Sequence, residues 1–466
     1  MREFDLVVIG SGPGGYRAAV LGALRGLSVA IVEKGVWGGT CLNRGCVPKK
    51  AWHASAMRVA QSAGLAARGV RGTLTGDLAA AWDHQRRVVD TVRESYVDYL
   101  KRLGIAAFAG AASFADRSTV RVAGGETLRA RHVIVATGSA PFVPPGLPRT
   151  PGRILTTDDL FDAPPPPGRR VAVVGSGVVG TELAFILAML GCDVKWITNA
   201  EPLARTGFSP PALKLLYAAL KRHGVVARTR SRVQGARVLA DGVELTLPDG
   251  IRESVDWALL GSGRVPYSES LDLAAAGVAT GAGGFIAVDE RCRTTVPHIY
   301  AIGDVANPAM TSNHALAEAA VAVADILDPG SRRREPAQVP ELVYSALELG
   351  RVGLSEDDAE DGGLEAAVGF AAFEVNPAAL GEDDAEGFVR LVADGDSGKL
   401  LGAEIVGAKA GELIHVIARD VGRDDGLRGV ARMLYNHPSR AEEFLNAAET
   451  LASKWGLREP VFGAKG

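Results

Sequence analysis

The sequence predicts an α/β protein with two copies of one strand–turn–helix unit, followed by a C-terminal segment where strand-like pieces precede helices. Three observations carry that prediction. The first is a repeat: Asp5-Leu-Val-Val-Ile9 leads into Gly10-Ser-Gly12-Pro-Gly-Gly15, and Arg170-Val-Ala-Val-Val174 leads into Gly175-Ser-Gly177-Val-Val-Gly180. The second is helical spacing after each turn, with apolar side chains at 16, 19, 20, 23 and 24 and at 185, 186, 189 and 190. The third is bulk composition. A chain of 466 residues that is 47% hydrophobic and 23% charged can bury a sizeable core, which excludes bulk disorder. At roughly 150 residues each, it suggests about three domains.

The glycines have a chemical reason. In a GxGxxG turn the first permits the tight bend, the second lets backbone approach a pyrophosphate, and the third lets helix and strand close together. The helix N-terminus then offers N–H groups and a positive dipole end to the phosphates. One such loop is weak evidence. Two, each between strand and helix, predict two Rossmann-type dinucleotide sites, at Gly10, Gly12, Gly15 and at Gly175, Gly177, Gly180. The residue closing the next strand should meet the ribose. In the first copy it is Glu33, whose carboxylate accepts hydroxyl hydrogen bonds and repels a 2′-phosphate. In the second copy Thr198 stands there, followed by Asn199 and then Arg205, which leaves NAD and NADP both open.

Charge excludes other partners. With 51 basic and 54 acidic residues, the formal charge of -3 leaves no basic excess for nucleic acid or an anionic membrane. Residues 171–191 carry a single charge, Glu182, over a span that could cross a bilayer on length alone. The β-run and glycine turn inside them favour a strand and helix instead. The N-terminal run holds Arg2, Glu3 and Asp5 before a short apolar stretch, unlike a signal peptide, and this points to the cytoplasm. Four cysteines are too few for a secreted disulfide scaffold.

Two of those cysteines, Cys41 and Cys46, lie five apart in Gly38-Gly39-Thr40-Cys41-Leu-Asn-Arg-Gly-Cys46-Val-Pro-Lys-Lys50. On a regular helix they would sit about 140° apart around the axis, beyond the reach of a disulfide. A bridge needs a loop or a distorted first turn, which Gly45 and Pro48 permit. A thiol near a helix N-terminus is the better nucleophile. Zinc would need four ligands, and the remaining cysteines, Cys192 and Cys292, are isolated and read as structural, so no metal site is expected. Two inert thiols are the other bland reading.

Residues 39–50 resemble the redox-active segment of the pyridine nucleotide-disulfide oxidoreductases, and the resemblance runs along essentially the whole chain. Val133-Ile-Val-Ala-Thr137-Gly138-Ser resembles the strand closing that family's first flavin segment. Gly263-Arg-Val-Pro resembles its turn near the nicotinamide nucleotide, and residues 294–304 resemble its second flavin motif. By this resemblance the first glycine site takes FAD, Asp304 meets the ribityl chain, and Cys41 and Cys46 form the redox disulfide. In the family a buried glutamate pairs with a lysine of the disulfide helix. Glu182 with Lys50, or Lys49, would fill those places; a solvated helix-start glutamate is the alternative. A family His-Pro element supplies an acid/base histidine held by glutamate across a dimer interface. His437 and Glu442 match it, with Ser439 for the usual threonine.

The implied organisation is a flavin domain from 1–147 and 268–335, a nicotinamide-nucleotide domain at 148–267, and an α+β interface domain at 336–466 that makes a homodimer. The implied activity is that of the lipoamide dehydrogenase branch, with NAD as acceptor and a lipoyl-bearing carrier protein as partner. Val47-Pro-Lys-Lys50 and Ala441-Glu-Glu-Phe444 resemble the glutathione reductase branch, so an NADPH-dependent disulfide reductase is the second reading. A flavin-binding scaffold without turnover is a third, of another class. The residues beyond Lys454 read as a disordered end or as a border of the substrate entrance.

Overall fold

The computed structural model describes residues 1–463. The chain divides into two compact units. The first comprises Met1–Trp52, Asp77–Val174 and Val233–Arg334; the second comprises His53–Gly76, Gly175–Arg232 and the chain from Glu335 onward. The division falls inside the second repeat, between its strand and its glycine turn.

A seven-stranded sheet organises the first unit. Strand Arg2–Ile9 lies parallel to Val29–Glu33 on one side and to Thr127–Val135 on the other, and Ala106–Ala109 pairs beyond Val29–Glu33. The long strand Thr127–Val135 has two neighbours on its far edge: antiparallel Thr119–Val122 along its first half and parallel Ile299–Ala301 along its second. The apolar run of the first strand is unbroken because both faces are covered. Leu6 and Val8 pack with Ala18 and Ala19 of helix Pro13–Leu24, Leu100 of Leu78–Arg102, and Ala319 and Ala322 of Ser312–Leu327. Val7 and Ile9 pack on the other side with Leu271, Val278, Ile286 and Val305. The same unit contains a parallel trio, with Trp257–Leu260 between Ile154–Thr156 and Arg170–Val174, and a ribbon pairing Ser139–Pro141 with Arg264–Pro266.

The helical content around 50–103 is two helices, Cys46–Gln61 and Leu78–Arg102, with a short 3-10 turn and irregular chain between them.

In the second unit the repeat continues through helix Val178–Met189, the parallel pair Asp193–Ile197 and Ala227–Arg228, and helix Pro210–Arg222. Helix Val178–Met189 is buried well beyond the apolar positions that mark it in the sequence: every residue from 180 to 187 is buried, so it is covered all round. The apolar span 171–191 is thus a strand, a turn and a helix of 12 residues. Among the described residues no helix is long and apolar enough to cross a membrane.

The C-terminal part is a five-stranded antiparallel sheet in the order Glu341–Tyr344, Glu348–Gly353, Leu400–Val406, Phe388–Asp394, Ala366–Ala372. Its apolar face, including Val352, Leu391, Ala403 and Ile405, packs against Ile414 and Ile417 of helix Ala410–Ala418 and Phe444, Ala447 and Leu451 of helix Glu442–Lys454. The end of the chain is not a disordered tail as far as it is described. Residues Arg458–Phe462 form a short helix whose Val461, with Leu457, is buried in that same core. Residues 464–466 of the tail lie outside the described residues.

Candidate active site

The two glycine turns share one geometry. Gly10 has φ +103°, and a Cβ on it would stand 2.3 Å from the Ala136 carbonyl oxygen; a Cβ on Gly15 would stand 1.9 Å from the Gly10 carbonyl oxygen. Gly175 has φ +139°, and a Cβ on Gly180 would stand 2.3 Å from the Gly175 carbonyl oxygen. By contrast Gly12 and Gly177, which begin the helices, meet nothing within 4 Å of a notional Cβ. Each turn is therefore tight where helix meets strand and open at the helix N-terminus, where a pyrophosphate would sit. The backbone geometry of these cradles fits a dinucleotide.

The strand-end residues differ between the copies. Glu33 is ordered by the first turn: the Ser11 amide and hydroxyl donate to its Oε2 at 2.9 and 2.7 Å, and the Gly35 amide donates to Oε1 at 2.8 Å. A carboxylate has about four acceptor positions, so capacity for a ribose hydroxyl remains. Thr198 corrects the sequence reading. It is only 1% exposed, its amide donates to the Arg228 carbonyl at 3.0 Å, and its hydroxyl is directed at the same oxygen. It faces into the fold, and the exposed Asn199 is the first side chain past the strand end open to a ligand.

Asp304 sits in a polar chain. Its Oδ2 accepts from the Ser139 hydroxyl at 2.5 Å, and Ser139 Oγ accepts from Arg264 Nε at 2.7 Å. Thr137 donates through Oγ1 to the Tyr267 carbonyl at 2.6 Å, and the Tyr267 amide returns a bond to the Gly138 carbonyl. Gly138 and Gly263 both have positive φ, at +72° and +108°, with open space beside them. The fold thus gathers Thr137, Gly138, Gly263 and Asp304 around one ribbon. Sequence reasoning missed Glu318, a buried carboxylate that accepts from the Gly303 amide and the Asn307 amide group, both at 2.7 Å, and so fixes the turn bearing Asp304.

Cys41 lies in helix Gly39–Arg44 and Cys46 begins helix Cys46–Gln61. The break between them is Gly45, with φ −138° and ψ −107°. This is the distortion the spacing required, and it makes the two thiols neighbours. The adjacent Cys46 thiol, then burial, pushes the Cys41 thiol well above its ordinary pKa, while Ser312 pulls the other way. Cys46 Sγ is 3.3 Å from Ser312 Oγ, in the first turn of helix Ser312–Leu327.

The thiol helix abuts the first cradle: a Cβ on Gly39 would stand 2.6 Å from the Gly12 Cα. Thr40 occupies the same first turn, and Lys50 lies one turn inside the second helix, half-buried. Two further neighbours carry no local signature. Asn43 donates to the Trp37 and Gly39 carbonyls, both at 2.9 Å, and Tyr96 stacks on Tyr16 with centroids 4.0 Å apart. Burial, and then the proximity of Cys41 and Cys46, raises the Tyr96 pKa.

In the second unit, His437 Nδ1 lies 2.8 Å from Glu442 Oε1, and the Ser439 amide donates to Glu442 Oε2 at 2.7 Å. The carboxylate only accepts, so Nδ1 carries the proton and Nε2 is the lone-pair nitrogen. The Ser439 amide first, and His437 second, hold the Glu442 carboxyl below its ordinary pKa. Asn376 pins the loop by donating to the Ser439 carbonyl at 2.9 Å. Glu182 is 1% exposed, and its Oε1 accepts from the Tyr344 amide at 2.7 Å, so the solvated helix-start reading fails.

Comparisons with known proteins place the chain in a family. The model of the pyridine nucleotide-disulphide oxidoreductases matches residues 4–325, and that of their dimerisation domain matches 339–448. The chain is similar to the dihydrolipoyl dehydrogenase of Thermus scotoductus, 35% identical over 97% of this chain and 98% of that one. It is also similar to that of Haloferax volcanii, 33% identical over 96% and 95%. Among solved structures, LpdA from Mycobacterium tuberculosis matches with a TM-score of 0.88 at 25% identity, over 97% of this chain and 100% of that one. The HOCl-induced flavoprotein disulfide reductase RclA from Escherichia coli gives 0.83 at 25%, over 96% and 99%. The chain belongs to the pyridine nucleotide-disulphide oxidoreductase family.

Proposed function

We propose that this protein is a FAD-dependent dithiol/disulfide oxidoreductase of the dihydrolipoyl dehydrogenase type, oxidising a dihydrolipoyl group with NAD as final acceptor. The observation that carries the reading is the thiol pair itself. Cys41 and Cys46 stand as neighbours across the Gly45 break, and the helix bearing Cys41 touches the first dinucleotide cradle. Full-length similarity to dihydrolipoyl dehydrogenases supports the substrate class.

In this reading Gly10, Gly12, Gly15, Glu33, Gly39, Thr40, Thr137, Gly138 and Asp304 hold FAD. Gly175, Gly177, Gly180 and Gly263 serve the nicotinamide nucleotide. FAD, when bound, supplies an electron relay between the thiols and that nucleotide. The substrate thiolate attacks Cys41 Sγ in the oxidised pair, and Cys46 leaves as thiolate; a second substrate thiolate then closes the lipoyl disulfide and releases Cys41. His437 Nε2 takes the substrate thiol's proton, with Glu442 holding the ring. The same reading assigns Lys50, or Lys49, and the buried Glu182 to the flavin. The dimerisation domain supports a homodimer. We assign His437 to the site of the partner subunit, and a lipoyl-bearing carrier and a cytoplasmic setting to the same reading. The domain limits at 147, 267 and 335 belong to it as well.

Thr198 favours one alternative. With Thr198 in place of an acid at the second strand end, that position lacks the carboxylate that would repel a 2′-phosphate, so NADPH-driven reduction of a disulfide is the second reading. Anaerobic flavin absorbance separates the two. Reduction by dihydrolipoamide and reoxidation by NAD are expected. A flavin left oxidised by both free and protein-bound dihydrolipoyl groups would overturn the proposal. Reduction by NADPH with reoxidation by a peptide disulfide would install the alternative.

A further inference from the structure

Residues 199–209 connect strand Asp193–Ile197 to helix Pro210–Arg222 and border the second glycine turn. Their near end is tied to that turn. The Leu203 amide donates to the Ser176 carbonyl at 2.8 Å, and the Ser176 hydroxyl donates to Asn199 Oδ1 at 3.3 Å.

Their far end is tied to the C-terminal sheet. In that sheet Glu341 pairs with Arg351, Arg351 with Glu404, and Glu404 with Arg390, across four neighbouring strands. Because side chains alternate along a strand, these four lie on the face opposite Ala403 and Ile405, as a row of alternating charge. Glu404, 6% exposed, is flanked by the two arginines and reaches out of the row. The Ser209 amide donates to its Oε1 at 2.8 Å and the Ser209 hydroxyl to its Oε2 at 2.5 Å. Beside it, Arg351 Nη1 donates to the Gly207 carbonyl at 2.7 Å. Gly207 has φ +70°, and a Cβ there would stand 1.9 Å from Arg351 Nη1, so the segment runs hard against the guanidinium.

Capping the helix does not require this. Ser209 already accepts from the Ala212 amide as an ordinary N-cap. A buried carboxylate between two arginines is costly to desolvate, and burial indeed raises the Glu404 pKa against the pull of Ser209 and both arginines. What the clamp adds is a fixed position for the segment bearing Asn199, Glu201 and Arg205, exposed polar side chains beyond the strand end.

We infer that Glu404 and Arg351 are positioning residues for the nicotinamide-nucleotide site: they anchor residues 207–209 so that the 199–206 loop stays closed on the Gly175–Gly177 turn and grips the adenosine end. The inference rests on assigning that turn to the nucleotide. Its test is equilibrium titration of the oxidised flavoprotein with NAD and with ADP-ribose, beside the anaerobic rate of flavin reduction by dihydrolipoamide. Glu404→Ala is expected to weaken both titrations about tenfold while the dithiol rate stays within about twofold. Glu404→Gln, which keeps an acceptor for the Ser209 amide, is expected to restore most of the loss. Arg351→Gln, which leaves the Ser209 cap intact, should weaken nucleotide binding in the same selective way. Unchanged nucleotide affinity in both Glu404→Ala and Arg351→Gln would overturn the inference. So would a parallel fall of nucleotide affinity, bound flavin and dithiol rate, which marks general loss of structure. A wild-type protein that dihydrolipoamide reduces but that binds neither NAD, NADP nor ADP-ribose would instead remove the site assignment beneath it.

Discussion

Glu442, by occupying Nδ1, holds His437 in the tautomer that presents Nε2 as a base. The carboxyl is held below its ordinary value, so its bonded, ionised form is fully populated above the usual glutamate pKa of about 4.3 and is lost only as pH falls through the depressed value. The hold therefore persists across the neutral and mildly acid range. Replacing His437 by Gln should lower the stopped-flow rate of flavin reduction by dihydrolipoamide about 10²–10⁴-fold, the usual worth of a positioned acid/base, with NAD affinity unchanged. Glu442→Ala should cost about tenfold, because the imidazole remains but its ring and tautomer are no longer fixed. A full rate in His437→Gln would exclude it as the base. At this scale the sequence is legible where the chemistry is local. Cys41 with Cys46, and His437 with Glu442, stand five residues apart. Ser312 and Glu318 act on residues hundreds or tens of positions away or through backbone amides, and no spacing in the sequence announces them.

Among elements, the strand–turn–helix repeats were readable because their constraint is steric and short-range. Gly15 and Gly180 each face the carbonyl of the glycine five before them, at distances no Cβ can occupy. Gly15→Ala should therefore abolish bound flavin in the purified protein. Gly180→Ala should leave flavin in place and weaken NAD titration by an order of magnitude or more. Loss of flavin from both variants alike would show that the cradles are not independent. Periodicity understates the burial of helix Val178–Met189, where tertiary contacts cover every side. Composition misled for the tail, because one valine and one leucine spaced among glycines, a proline, charged residues and two aromatics do not look like a core. Yet Val461 is fully buried, and Val461→Ala should lower unfolding stability by about 2 kcal/mol in urea titration without changing dithiol turnover. A selective loss of turnover there would return the tail to the substrate entrance.

At the scale of the whole molecule, connectivity is the least legible property. Strand Ile299–Ala301 rejoins the first sheet long after the chain has left it at Val135, and only parallel pairing in space records the return. Local pattern cannot encode such a contact, since the loop that closes it may be of any length. The partition of the proposed catalytic groups has the same character. Cys41 and Cys46 belong to the first compact unit, His437 and Glu442 to the second, and the second carries the matched dimerisation domain. If the histidine acts on the thiols of the partner subunit, two dead variants must rescue each other. Cys46→Ser supplies an intact histidine, and His437→Gln supplies intact thiols. Co-expressed with different tags, they should assort so that about half the dimers are mixed, each with one of its two sites complete. The pool should then recover about a quarter of the wild-type dihydrolipoamide-to-NAD turnover, and the doubly tagged fraction about half. Recovery confined to that fraction is the decisive reading. A doubly tagged dimer as inactive as either parent would mean that each chain completes its own site, and the shared-site assignment of His437 would fall while the chemistry of the thiol pair stood.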